Sequence, residues 1–163
     1  FAYGFKGCLE TRDRGNSWQA ANIDGENNLC IYDMFFVNKN EGWVLASYVK
    51  KDKGFLAVYK TEDPGKNWKK VSTKNWISNE KERENLNRIY FSDSNTGWIT
   101  GLKGDCFRTI EGIIFKTTDG GKTWKQQTSG TANNLNKIFF IDEKTGWIVG
   151  DFGTILFTNT GGE

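Results

Sequence analysis

The stretch TTDGGKTW (Thr117–Trp124) poses the question on which the fold turns. An aspartate between threonine and glycine can be a catalytic acid, a metal ligand or the brace of a turn. Its copies decide. TRDRGNSW (Thr11–Trp18) and TEDPGKNW (Thr61–Trp68) share the pattern Thr-x-Asp-x-Gly-x-x-Trp, and the chain ends on TNTGGE (Thr158–Glu163), with Thr160 in the aspartate position. A catalytic residue is needed once, whereas a turn brace is needed in every repeat. The sets Asp13, Gly15, Trp18; Asp63, Gly65, Trp68; and Asp119, Gly121, Trp124 are therefore read as structural. The carboxylate accepts backbone N–H groups a few residues on. The glycine takes a positive φ at little cost. The tryptophan drops back into the sheet, where full burial is worth at most about 4–6 kcal/mol. Each turn offers one carboxylate, too few for Ca²⁺.

A second series interleaves with the first. IYDMFFVNKNEGW (Ile31–Trp43), LNRIYFSDSNTGW (Leu86–Trp98) and LNKIFFIDEKTGW (Leu135–Trp147) align without gaps, about fifty residues apart. Each unit then reads as four strands: A, the aliphatic-aromatic run; B, from the Gly-Trp pair; C, before the Asp turn; D, after its tryptophan. Short apolar runs bounded by Gly, Asn and Asp fit strands. Only residues 78–88 could hold a helical turn. Four antiparallel strands recurring at this period predict an all-β fold, a β-propeller of about three and a half blades belonging to a larger ring. The boundaries are a partial blade at 1–28, blades at 29–78 and 79–133, and a partial blade at 134–163. The first unit lacks strand A and the last lacks strand D. The open blade edges leave self-association as an option.

These motifs resemble the Asp-box, or bacterial neuraminidase repeat (BNR). The fuller pattern L-x-x-I-x-F-x-D-x-x-x-G-W-x-x-G, followed by G-T-I-L-x-T, resembles the photosystem II assembly and stability factor family, most closely in NLNKIFFIDEKTGWIVGDFGTILFTNTGGE. The resemblance implies a seven-bladed, non-enzymatic propeller that works outside the cytoplasm, in a periplasm, lumen or secreted, and escorts newly made subunits.

Composition narrows the function classes. Histidine is absent from all 163 residues, which excludes a Ser-His-Asp triad, a Cys-His pair and any His-ligated metal within the chain. The net charge of +2 gives no global field for nucleic acid. No apolar run reaches the length of a membrane helix. Of Cys8, Cys30 and Cys106, at most one pair can form internally; Cys8–Cys30 is the conceivable bridge, and free buried thiols are the preferred reading. The opening FAYGFKG has neither initiator Met nor signal peptide and is read as a mature or truncated start. No cofactor or metal is expected.

In a four-stranded meander the A–B and C–D turns share one rim, and the B–C and D–A connections the other. The first rim is monotonous; the second varies in length, which is where repeat scaffolds carry recognition. Its candidates for binding a protein partner, with a polysaccharide as the alternative, are Tyr48, Lys50, Lys51, Lys53, Trp76, Lys81, Arg83, Phe107 and Arg108. The lysines and arginines concentrate between residues 48 and 88, a charge that could steer an acidic partner. The competing class is a glycoside hydrolase. It would need two facing carboxylates from Asp52, Glu80, Glu82, Glu84, Asp105 and Glu111, and nothing in the sequence pairs them. A sialidase would need an arginine triad, and Arg12 and Arg14 are tied to an Asp turn.

Overall fold

The computed structural model describes residues 1–4, 7–23, 29–51, 53–75, 83–104 and 109–163. They form four antiparallel sheets, divided between two compact units, Phe1–Asn75 and residues 76–163. In the first unit, β1 (Ala2–Gly4), β2 (Gly7–Glu10) and β3 (Gln19–Ala21) make a three-stranded sheet. There β4 (Cys30–Phe36), β5 (Gly42–Lys50), β6 (Lys53–Thr61) and β7 (Lys69–Asn75) make a four-stranded one. In the second, β8 (Arg83–Phe91), β9 (Gly97–Gly104), β10 (Thr109–Thr117) and β11 (Lys125–Gln127) form a full sheet. It is followed by β12 (Leu135–Phe140), β13 (Gly146–Gly150) and β14 (Ile155–Thr158). Every sheet is a meander of sequential strands. The architecture is that of β-propeller blades, with strand A missing from the first sheet and strand D from the last. The helical turn allowed for residues 78–88 is not formed from Arg83 onward: that part is β8, whose Leu86 and Ile89 are buried.

The Gly-Trp pair recurs for a steric reason. A Cβ on Gly42 or Gly97 would lie 2.6 Å from the ring of Phe36 or Phe91, and one on Gly146 would collide with Phe140. The strand-A phenylalanine thus lies across the strand-B glycine directly opposite it. The ring then meets the neighbouring sheet of its unit. Phe140 stacks on Trp98 with centroids 3.7 Å apart and planes 12° apart, and Phe36 stacks on Phe1 at 5.4 Å. Around these stacks Cys8, Ile31, Val44, Tyr59 and Trp68 fill the core of the first unit, and Leu135, Ile148 and Ile114 that of the second.

The three Asp turns are built alike. Asp119 Oδ1 accepts from the Thr117 hydroxyl at 2.8 Å and from the Lys122 and Thr123 N–H groups at 3.0 and 2.9 Å. Its Oδ2 accepts from the Thr123 hydroxyl at 2.6 Å. Asp63 repeats this with Asn67, and Asp13 with Ser17. Gly121 turns at φ +89° and passes its N–H to the Thr117 hydroxyl. In the last copy the Thr160 hydroxyl accepts from the Glu163 N–H at 3.1 Å, so a shorter group does part of the same work. The A–B turns have their own brace: Asn38, Asp93 and Asp142 each accept two successive backbone N–H groups.

The carboxylates are held in their charged form. Asp13 is lowered to about 2 from 3.8, chiefly by the Ser17 hydroxyl, and Asp63 likewise to about 2 by the Asn67 N–H. At Asp119 partial burial opposes the shift but is outweighed by the Thr123 hydroxyl and N–H, and the value is again about 2.

The tryptophans do not all drop in. Trp68 is 4% exposed, edge-on to Phe36 at 5.9 Å, and its Nε1 donates to the Gly65 carbonyl at 3.0 Å. Trp124 makes the same bond to Gly121 and packs edge-on to Phe91. Trp18 is 47% exposed. In each of the other two repeats the partner ring comes from strand A of the same sheet, and the first sheet has no strand A.

Three outcomes follow from this packing. Trp68→Ala should cost about 3–5 kcal/mol in denaturant titrations, whereas Trp18→Ala should cost about 1 kcal/mol or less, as surface changes do. Gly97→Ala, which forces a methyl against a ring 1% exposed, should cost about 1–3 kcal/mol. Because the three aspartates titrate lower in the folded state, their contribution is complete above the unfolded value near 3.8 and is lost as pH falls through about 2. Urea midpoints taken from pH 6 downward should therefore drop below about pH 4, and Asp119→Asn should flatten that drop while lowering the midpoint at neutral pH.

Candidate functional site

Strand A carries a bulge at one repeat position. The register slips between Ile31 and Asp33, between Leu86 and Arg88, and between Leu135 and Lys137. A bulge sets one residue outside the register of the ladder and re-aims its side chain. The extra residues are Tyr32, Asn87 and Asn136. Tyr32 shares a 3.0 Å hydrogen bond with the Ser47 hydroxyl. In the second unit, Asn87 and Asn136 build a polar track at the variable rim. Asn87 Nδ2 donates to Asn134 Oδ1 at 2.7 Å and to the Leu135 carbonyl at 2.9 Å. Asn134 Nδ2 donates to Asn136 Oδ1 at 2.8 Å, and Asn136 Nδ2 to Asp151 Oδ1 at 2.5 Å.

The track ends under a rigid turn. Between β13 and β14, Gly150 donates to the Thr154 carbonyl, Thr154 to that of Asp151, and Asp151 to that of Asn134, at 2.9, 3.1 and 3.0 Å. Asn133 Nδ2 adds a bond to the Thr154 hydroxyl at 2.8 Å. Phe152 sits at the apex with φ +53°, a left-handed conformation unusual for an aromatic residue. It is 93% exposed. Two layers of hydrogen bonds thus hold a bare phenyl ring away from the sheet. Sequence reasoning passed over Phe152 because its loop, VGDFG, carries no insertion, and the longer connections drew the attention. An aromatic residue between Asp and Gly was the available signal.

Of the residues expected from the sequence, Lys50, Lys51 and Lys53 come together at the tip of the β5–β6 hairpin. All three are exposed, Lys50 stands directly opposite Lys53, and Lys51 takes φ +50°. Tyr48 does not join them. It is buried, stacked on Phe55 at 5.2 Å, with Lys70 Nζ 4.4 Å above its ring; it pins the hairpin from below. Arg83 opens β8, and its side chain lies outside the described residues, as do Trp76, Lys81, Phe107 and Arg108.

Among the carboxylates considered for hydrolysis, Glu84 and Glu111 both stand directly opposite Lys103 of β9, one from β8 and one from β10. The three form a row of alternating charge across the sheet, the usual cross-strand pairing of opposite charges. Asp52, Glu80, Glu82 and Asp105 lie outside the described residues. Among the described residues no group of three or more His, Cys, Asp or Glu side chains is placed to hold a metal ion. Cys8 and Cys30 are free thiols; burial pushes Cys8 up to about 11, which keeps it protonated and inert. Cys106 lies outside the described residues.

Residues 109–159 match the sequence model of the family described as photosynthesis system II assembly factor YCF48. Two solved structures share the fold. YCF48 bound to a D1 peptide is 21% identical, with a TM-score of 0.56 over 82% of this chain and 37% of its own. YCF48 from Cyanidioschyzon merolae is 17% identical, with a TM-score of 0.60 over 93% of this chain and 44% of its own. The chain thus spans less than half the length of either. No curated protein sequence matches it. By its repeat and its fold the chain is an Asp-box β-propeller similar to the photosystem II assembly factor YCF48 family.

Proposed function

We propose that the chain is a non-enzymatic scaffold, an assembly or stability factor working outside the cytoplasm, that holds a segment of another protein at its variable rim. The observation that carries this reading is Phe152. A ring already fixed in the open loses little freedom on binding, so most of its burial is realised as affinity. The hydrogen bonds running from Asn134 through Asn136 to Asp151 hold the turn that presents the ring. In the other unit, the Lys50–Lys51–Lys53 tip favours a partner with acidic residues. The similarity to a YCF48 solved with a D1 peptide supports a peptide segment as the class of ligand. The Glu84–Lys103–Glu111 row supports binding over hydrolysis, because each described acid faces a cation rather than a second carboxyl across a gap.

A labelled D1 peptide, followed by fluorescence anisotropy, tests the reading. Phe152→Ala should weaken binding about tenfold or more with an unchanged melting temperature, the behaviour of an aromatic hot spot. Replacing Lys50, Lys51 and Lys53 by serine should slow association and reduce its dependence on salt. Equal affinity in a folded Phe152→Ala protein rejects this rim, and turnover of aryl glycosides lost on Glu111→Gln would favour the hydrolase instead.

A further inference from the structure

The track from Asn87 to Asp151 has a fixed sense, and both of its ends set it. The Asp151 carboxylate only accepts, so Asn136 must turn its Nδ2 toward it. Asn136 Oδ1 then faces back and takes Asn134 Nδ2 at 2.8 Å, which leaves Asn134 Oδ1 to accept from Asn87 at 2.7 Å. Asn87 Nδ2 donates a second time, at 2.9 Å, to the Leu135 carbonyl, which also only accepts. A flip of any one amide would set like atoms against each other. The row therefore holds one arrangement from end to end.

It also joins separate pieces of the second unit. Asn87 belongs to β8, Asn136 to β12, and Asp151 to the turn after β13. Asn134 ends the connection from β11, which is clamped against both sheets. The Asn133 carbonyl occupies the space a Cβ on Gly112 of β10 would need, and the Asn134 carbonyl that of a Cβ on Gly150 of β13. The Gly112 N–H donates to the Thr131 carbonyl at 2.9 Å. A bulge does not by itself call for such a bridge: in the first unit Tyr32 meets Ser47 of its own sheet.

From this network we infer that Asn87, on the neighbouring sheet, is a positioning residue for recognition at the Phe152 turn. It acts through Asn134 and Asn136 and reaches a bound segment only by way of the ring. The inference rests on the reading of Phe152 as a peptide anchor. Asp151, directly before the ring, is held at two points: its N–H donates to the Asn134 carbonyl at 3.0 Å, and its carboxylate accepts from Asn136. A displaced Asn134 is felt at both. A turn freed in this way must be ordered again on binding, which costs affinity.

Two substitutions test the link, first without ligand. Asn87→Asp keeps the shape and puts an acceptor where the donor stood; Asn87→Ala removes the donor and adds no charge. In amide hydrogen exchange, both should speed the Asp151 and Thr154 N–H groups about tenfold, while the amides of β9 and β10 keep wild-type protection. A labelled D1 peptide, followed by fluorescence anisotropy, should bind either variant about three- to tenfold more weakly. In protein that already carries Phe152→Ala, Asn87→Ala should make no further difference, as expected of residues that act as one. Unchanged exchange at Asp151 overturns the inference. Protection lost throughout the sheets in both variants overturns it by making Asn87 a residue of the scaffold. Additive losses of affinity overturn it in favour of direct contact between Asn87 and the segment. Faster exchange at Asp151 in a protein whose peptide affinity ignores Phe152→Ala overturns the reading of the rim, and with it the role in recognition, while the tie from Asn87 to the turn stands.

Discussion

A phenylalanine ring lying across a glycine sets the terms for the rest of this structure. Strand A can approach strand B with its ring turned along the sheet only because Gly42, Gly97 and Gly146 carry no Cβ. The flattened ring then offers its outer face to the aromatic residue of the neighbouring sheet, as Phe140 does to Trp98 and Phe36 to Phe1. Its edge meets the tryptophan that follows the Asp turn, as Phe91 meets Trp124. One missing methyl group thus permits three contacts: within the sheet, between sheets, and to the turn at the end of strand C. The motif residues are not separate conveniences. Trp18, which meets no such phenylalanine edge among the described residues, is half exposed.

The Asp turns do a different job. They contribute little apolar burial, and Asp13 and Asp63 sit on the surface, so their bonds compete with water and each is worth little by itself. Their value is geometric. A carboxylate that accepts one or two backbone N–H groups and two hydroxyl or amide donors closes the C–D turn in one conformation. That fixes where the following tryptophan enters the sheet. A threonine stands in for the acid in the last copy with a hydroxyl that supplies one acceptor, taken by the Glu163 N–H.

The sheets and the frame of the turns were legible in the sequence because they repeat. Alignment of Thr-x-Asp-x-Gly-x-x-Trp with the Gly-Trp series separates positions needed everywhere from positions needed once. What the alignment could not show is the bulge. Ile31–Trp43, Leu86–Trp98 and Leu135–Trp147 align without gaps, so an extra residue common to all three leaves no trace, yet it turns Tyr32, Asn87 and Asn136 out of the ladder. Tyr48 misled for the opposite reason: polar neighbours in sequence suggested a loop, while the long β5–β6 hairpin carries it under Phe55. Phe152 was overlooked because length variation drew attention to the long connections, whereas a short turn closed by its own backbone holds a side chain more firmly.

Rim and faces therefore obey different logic. Residues on the monotonous rim and in the sheets answer to packing, and each has a counterpart one repeat away that explains it. Phe152 has none: no other described turn lifts an aromatic ring clear of the protein, and nothing in the stacking of sheets requires it. Trp147 is exposed as well, though less so, and has two counterparts, Trp43 and Trp98, both buried. The comparison across repeats assigns the two aromatics to different causes. An exposed residue whose equivalents are buried belongs to the scaffold and marks a contact the scaffold makes. An exposed residue without equivalents, held in a strained conformation by a network of hydrogen bonds, belongs to recognition.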